Sequence, residues 1–330
     1  MAEVWLVNRA TGQMGNRLMF FAAVYAWCLH EGHDLFCPGL GGCAEFFTPL
    51  AGQLWPSPTR PVPTDLHPAI IDRTRQTRVD RTRLLAKLHL LPGVVRKPSG
   101  IVAYPLPPTD DSFPPPNLRR RRRLWIPAWR CFNPVGIQRY RAQIVAALTP
   151  RPDLFKAADD FAATLDPARL HIGVHVRRGD YRNFLGGKHF HPASVYHKQM
   201  RALAERFADR RPQFVIFSDE PRNPGEFPGL DVIISGGDMI ADLLRMARMH
   251  AVVGPMSSFS AMASYLGNGV AYHFGPHASE DNLQWVYLGY PVVHSIDELD
   301  AALGDPTTIT STHAGTPGYP IDLRPRKDHH

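Results

Sequence analysis

From Leu170 to Phe274 the chain alternates short apolar runs with longer stretches of helical period. The pattern predicts a strand over Leu170–Val176, a helix over about Pro192–Ala208 and a strand over Gln213–Phe217, which ends in Ser218-Asp219-Glu220. A strand Val232–Ile234, a helix Met239–His250, a strand Ala251–Val253, a helix Ser258–Leu266 and a strand Val270–Phe274 follow. Strands alternating with helices form βαβ units, so this half reads as an α/β region with a mostly parallel sheet.

The first half opens with a strand at Met1–Val7 and an apolar helix over about Arg17–His30, in which Phe20, Phe21, Tyr25 and Trp27 read as core. Between Gly39 and Pro134 the periodicity fades and proline is frequent, with one helix predicted at Arg81–Leu91 before Pro92-Gly93. Such a stretch predicts long surface loops. A helix Val135–Leu148 then leads to Thr149-Pro150-Arg151-Pro152, a natural boundary. The expected organisation is a domain over 1–150, a second over 151–304, and a flexible tail over 305–330 rich in Thr, Pro and Gly.

Composition narrows the class. The chain has 330 residues, 44% of them hydrophobic, and no apolar run of the roughly 18 residues needed to span a bilayer. Its start lacks the features of a signal peptide, so a cytoplasmic location is expected. Cys28, Cys37, Cys43 and Cys131 show no zinc-site spacing and read as reduced and structural. The net charge of +7 favours polyanionic partners, and Arg119–Arg123 concentrates part of it beside Pro114-Pro115-Pro116. That run reads as a solvated loop or as a contact for an anionic membrane face. Nucleic acid is disfavoured, because no recognisable module or interleaved aromatic residues accompany the run.

The chemistry gathers at Leu170–Tyr181, LHIGVHVRRGDY. A buried strand there delivers His175, Arg177, Arg178 and Asp180 at its carboxyl end, where open α/β sheets bind ligands. Arginine forks match phosphate oxygens, which points to an anionic ligand such as a sugar-nucleotide diphosphate. The structural alternative, arginines paired with Asp180 in an ion network, stands equally on residue type. Arg178-Gly179-Asp180 at a strand end is a poor adhesion signal. Upstream, Thr11-Gly12-Gln13-Met14-Gly15-Asn16 predicts a turn that brings free backbone N–H groups close to a ligand, or simply a tight strand-to-helix turn. Met246 and Met249 read as core. His189 and His191 fall in a loop, and no metal is expected.

Three blocks in order resemble the bacterial α-1,2-fucosyltransferases: G-x-x-G-N-x-x-x-F at Gly12–Phe20, H-V-R-R-G-D-Y at His175–Tyr181, and D-x-x-x-M…S-S-F-S from Asp242 to Ser260. More distantly, the last two resemble the α-1,6- and protein O-fucosyltransferases. The resemblance extends through Phe217-Ser218-Asp219 and the Tyr196 helix, and covers most of the chain outside about 40–135. It implies a GT-B fold, two Rossmann-like domains facing across a cleft, the first taking a glycan or lipid-linked glycan acceptor and the second GDP-fucose. It further implies α-1,2 transfer with inversion and without a metal or other cofactor, and the chain contains no D-x-D triplet.

Carried over, the resemblance gives Arg177 the β-phosphate and a catalytic role, and His175 and Asp219 the nucleoside, with Asp219 accepting from guanine. Arg178, Ser257, Ser258 and Phe259 join the donor site, the two serines opening a helix toward phosphate. Gly15 and Asn16 close over the diphosphate, Asn16 with a catalytic part. Asp180 reads as an orienting partner of the arginines and as one candidate base, beside Asp34, Glu45, His189 and His191. The chain departs from the pattern in Gln13, where a second glycine is common, and in Ala261-Met262-Ala263, where a Trp-Trp pair usually follows Ser260. The departures leave a related deoxyhexose or hexose donor open. The expected function is an inverting fucosyltransferase, set against a same-fold transferase of another nucleotide sugar and a basic nucleic-acid-binding protein.

Overall fold

The computed structural model describes residues 3–6, 13–48, 123–126, 133–275, 287, 289–304, 309–310 and 320–321. They fall into two units, residues 1–152 and 153–330. The predicted helix Arg81–Leu91, Gly12, Arg119–Arg122 and Cys131 lie outside the described residues.

In the first unit β1 (Glu3–Leu6) lies between β2 (Asp34–Phe36) and β3 (Arg123–Ile126), both parallel to it. Between β1 and β2 runs α1 (Met14–Glu31), apolar all round and buried from Met14 to Trp27 and Cys28 apart from Asn16 and Arg17. It begins earlier than the expected Arg17, because Gln13 is its extended N-cap and Met14 already packs inside. It ends at Gly32, whose φ of 67° is the left-handed cap glycine tolerates. The expected single helix Val135–Leu148 is two, α2 (Pro134–Arg139) and α3 (Arg141–Ala147). They break at Tyr140, which turns so that its hydroxyl meets His30 Nδ1 at 3.1 Å. Cys28, Cys37 and Cys43 are buried and unbonded to one another.

The second unit opens with α4 (Pro152–Ala163) and then builds a sheet from β4 (His171–Val176), β5 (Gln213–Ser218), β6 (Val232–Ile234), β7 (Ala251–Pro255), β8 (Val270–Phe274) and β9 (Val292–Val293). All six strands are parallel, in the spatial order β6-β5-β4-β7-β8-β9. The crossovers carry α5 (Ala193–Arg206), α6 (Met239–Met246) and α7 (Ser258–Leu266), and α8 (Ile296–Gly304) follows β9. Strands covered on both faces carry continuous apolar runs, and every residue of β4, β7 and β8 is buried. One face holds Ile172, Val174 and Val176 against Tyr196, Met200 and Leu203 of α5 and Leu299 of α8. Each such side chain removed from water contributes roughly 1.5–3 kcal/mol.

Several elements depart from expectation. α6 stops at Met246, short of His250, and α4, β2, β9 and α8 were not expected; nor was β3, which begins at Arg123 inside the stretch expected to form loops. Within the expected tail, β10 (Ile309–Thr310) and β11 (Pro320–Ile321) pair antiparallel.

Candidate functional site

The strand order is that of a doubly wound sheet whose first strand is β4 and whose fourth is β7. The order in which successive strands are added to the sheet reverses between those two parallel neighbours, and the crevice outside their carboxyl ends is where such sheets bind ligands. β4 delivers His175, Arg177 and Arg178 there, β7 delivers Ser257 at the start of α7, and neighbouring β5 delivers Asp219 and Glu220. The strands approach closely at Gly254 of β7, where an added Cβ would stand 2.8 Å from the His175 carbonyl oxygen.

Arg177 is the centre of the charge pattern. Its Nη2 donates to Asp180 Oδ1 at 2.6 Å, its Nη1 lies 3.1 Å from Asp219 Oδ2, and its Cζ stands 5.4 Å from the Tyr181 ring centre. Asp219 uses its other oxygen to accept the Arg178 backbone N–H at 2.9 Å. Each carboxylate oxygen thereby has one partner, and Asp219 fastens the end of β4 to β5. Gly179 permits this, since a Cβ there would meet Asp219 Oδ2 at 2.6 Å. Arg178 points its guanidinium elsewhere, donating to the His191 carbonyl at 3.0 Å and lying 3.6 Å from Glu220. The ion network considered from the sequence is therefore real, but it joins two strand ends.

His175 is buried, 4% exposed, beside the Phe259 ring, and its Nδ1 has no hydrogen-bond partner. Burial first, and the charge of Arg177 second, push its pKa down to about 3, so the ring is neutral at ordinary pH. Ser257 caps α7, its hydroxyl accepting the Phe259 N–H at 3.2 Å, while Ser258 begins the helix proper. The first-turn N–H groups of this nine-residue helix face the crevice end of β7, and the helix dipole favours an anion there. Ala261, Met262 and Ala263 are fully buried, so the departure from the Trp-Trp pair falls in core rather than on an open surface.

The structure sorts the other candidates. Gly15 and Asn16 stand in the first turn of α1 in the first unit, Gly15 buried and Asn16 half-buried. Asp34 is buried in β2 and Glu45 is exposed on the short 3-10 helix Pro38–Phe46 of that unit. His189 is buried against Tyr181 and Phe184, and His191 packs on Tyr196 and Phe274. Burial lowers the pKa of both histidines. Of the candidate bases, Asp180 is the one placed directly against Arg177. Among the described residues no group of three His, Cys, Asp or Glu side chains could hold a metal. Among them, too, no helix is long and apolar enough to cross a membrane.

Two acidic groups were not singled out for a role. Glu220 gathers Arg182, Arg178 and Arg222, which hold its carboxyl below the usual range, Arg182 most strongly. Asp242, on α6, accepts from Oγ of Ser235 at the carboxyl end of β6 at 2.7 Å, and burial raises its pKa to about 6. Its signal in the sequence was an aspartate in the apolar stripe of α6, one turn before Met246.

No family model matches the chain, and no curated protein matches it. Among solved structures, an Arabidopsis thaliana FUT1 mutant in complex with GDP aligns with a TM-score of 0.53 at 13% identity, over 84% of this chain and 71% of that one. The fold is of the Rossmann-like GT-B type. Also similar are the fucosyltransferase NodZ from Bradyrhizobium, with a TM-score of 0.45 at 18% identity over 81% of this chain and 94% of that one, and POFUT1 in complex with GDP-fucose, with 0.46 at 12% over 81% and 95%. In GT-B terms the unit just described is the one whose sheet carries the switch point.

Proposed function

We propose that the protein is a glycosyltransferase that moves L-fucose from GDP-fucose to a hydroxyl of a glycan acceptor, with inversion and an α-1,2 linkage. The observation that supports this reading is that Arg177 and the α7 N-terminus follow the carboxyl ends of the adjacent parallel strands β4 and β7, at the switch point. The three sequence blocks suggest the sugar and linkage, and the structure that aligns with a TM-score of 0.53 is a complex with GDP.

As the bond from fucose to the diphosphate breaks, the sugar becomes oxocarbenium-like and negative charge grows on the β-phosphate. Arg177, preset by Asp180 and Asp219, and the N–H groups of α7 stabilise that charge most in the transition state. Neutral His175 can offer a hydrogen bond to the donor but no charge. Arg178 acts by bracing the loop behind the site, and Asp219 by aiming Arg177. We assign charge neutralisation to these groups of the chain, with Asp180 orienting Arg177 and with Gly15 and Asn16 taking part in donor binding. The run Arg119–Arg123 supplies an electrostatic contact to anionic lipid, where lipid-linked acceptors reside.

The test is calorimetric titration of GDP, UDP and CDP in excess EDTA. Selective GDP binding is expected, with Arg177→Ala losing it and the fold intact by circular dichroism; turnover should fall by roughly 10²–10³. Equal binding of all three nucleotides, or an unaffected Arg177→Ala, would overturn the assignment. Salt-dependent binding of random RNA without GDP binding would favour the nucleic-acid reading instead.

A further inference from the structure

Between Arg178 and His191 the chain leaves β4 and returns as a closed loop, its ends joined by the Arg178 guanidinium on the His191 carbonyl. Two short 3-10 turns, Gly179–Arg182 and Phe184–Gly187, make up its first part. Phe190 fills it from inside, 4.2 and 4.9 Å below the guanidinium carbons of Arg178 and Arg182. Arg182 in turn donates to both Glu220 oxygens at 2.6 and 2.9 Å. At Gly187 φ is 80° and a Cβ would stand 2.9 Å from the Arg182 carbonyl oxygen, so the return path is tightly specified. A loop whose ends meet and whose own side chains fill it is an Ω-loop, a form that often carries function.

Three rings continue from Arg177 to the loop surface. Tyr181 lies beside the guanidinium and donates its hydroxyl to the Met256 carbonyl at 2.8 Å, tying the loop to the start of α7. Phe184 stacks on Tyr181 at 5.7 Å with 22° between planes, and His189 supports both rings. Yet Phe184 is 45% exposed, whereas Tyr181, His189, Phe190 and His191 are buried or half-buried. The loop thus holds one aromatic ring in a fixed place with a face toward water.

We propose that Phe184 is a platform on which a pyranose ring of the acceptor glycan stacks. This rests on the transferase reading above. The C–H groups of a pyranose face carry partial positive charge that meets the negative face of an aromatic ring, and a ring already locked by its neighbours loses little freedom on binding. Place argues for a substrate of the same site, since Phe184 stacks on Tyr181, whose ring lies beside the Arg177 guanidinium. A protein partner would want a broad apolar patch, but Phe184 is flanked by exposed Arg182, Asn183 and Gly186.

The full chain, Phe184→Ala and Phe184→Trp are applied to an array of immobilised oligosaccharides in the presence of GDP and, separately, titrated with GDP. The expected result is a set of glycans retained by the wild type, retained by Phe184→Trp and weakened roughly tenfold in Phe184→Ala, with GDP affinity equal in all three. Unweakened glycan retention by Phe184→Ala, or no glycan retained by the wild type, overturns the platform. Loss of GDP as well as glycan in Phe184→Ala also overturns it, by placing the ring in the nucleotide site. A wild type that retains glycans through Phe184 without binding GDP upholds the platform and refutes the donor reading, so the two failures separate.

Discussion

Acid titration of His175 gives a prediction whose size follows from the structure. The ring is 4% exposed, and its pKa falls from 6.5 to about 3, chiefly through burial and then through Arg177. The unfolded chain takes up a proton near the ordinary value while the folded chain refuses it. Stability is therefore complete above pH 6.5, declines as pH falls, and stops declining from this cause near pH 3. By linkage the loss is roughly 2 kcal/mol at about pH 5 and on the order of 4–5 kcal/mol once the folded ring also titrates. The perturbation is His175→Phe, which keeps a ring against Phe259 and removes the proton site. Urea unfolding of wild type and variant at about pH 7.5 and pH 5 reads the effect, and the offset at high pH cancels in the comparison. The variant should lose roughly 2 kcal/mol less than wild type over that interval. Equal losses would show that His175 is solvated in the folded protein, and would remove the argument that it meets a donor as a neutral group.

Asp242 runs opposite, for its pKa is raised from 3.8 to about 6, so its burial costs stability that returns as pH falls through 6. Asp242→Asn should raise the urea midpoint at about pH 8 by the equivalent of roughly 1–3 kcal/mol and leave it little changed near pH 4, and a lowered midpoint at pH 8 would contradict this. Asp219→Asn should weaken GDP binding about tenfold through misaimed Arg177, and in a double-mutant cycle with Arg177→Lys the two losses should fall short of additive by about 1 kcal/mol or more. Strict additivity in calorimetry would show that Asp219 acts independently of that arginine.

How much of this was legible in the sequence depended on burial. β4, β7 and β8 were visible because both faces are covered and their runs are mostly apolar, broken by His171 and His175 in β4 and His273 in β8. The bounds of α7 matched because Ser257 caps it in front and Gly267 follows its end. α4 was missed because Ala158 is its one fully buried residue; it is held instead by Arg245 and Arg248 of the α6 region over the rings of Phe161 and Phe155, a contact no periodicity records. β2 and β9 are too short to stand out from their flanks. At the site, the adjacent arginines announced themselves, but the partnership of Arg177 with Asp219 depends on the register that sets Val176 opposite Ser218. That register is a property of the sheet, so the sequence offered Asp219 as a ligand group and gave no sign that it also holds Arg177.

The central claim is that this GT-B fold turns over a fucosyl donor at the β4/β7 crevice. The most direct measurement is release of GDP from GDP-fucose and from GDP-mannose by the full chain in EDTA, with and without an oligosaccharide mixture as acceptor. The account predicts GDP release from GDP-fucose that the acceptors accelerate, little from GDP-mannose, and a loss of roughly 10²–10³ in Arg177→Ala. GDP release that is absent, or that persists unchanged in Arg177→Ala, would contradict it.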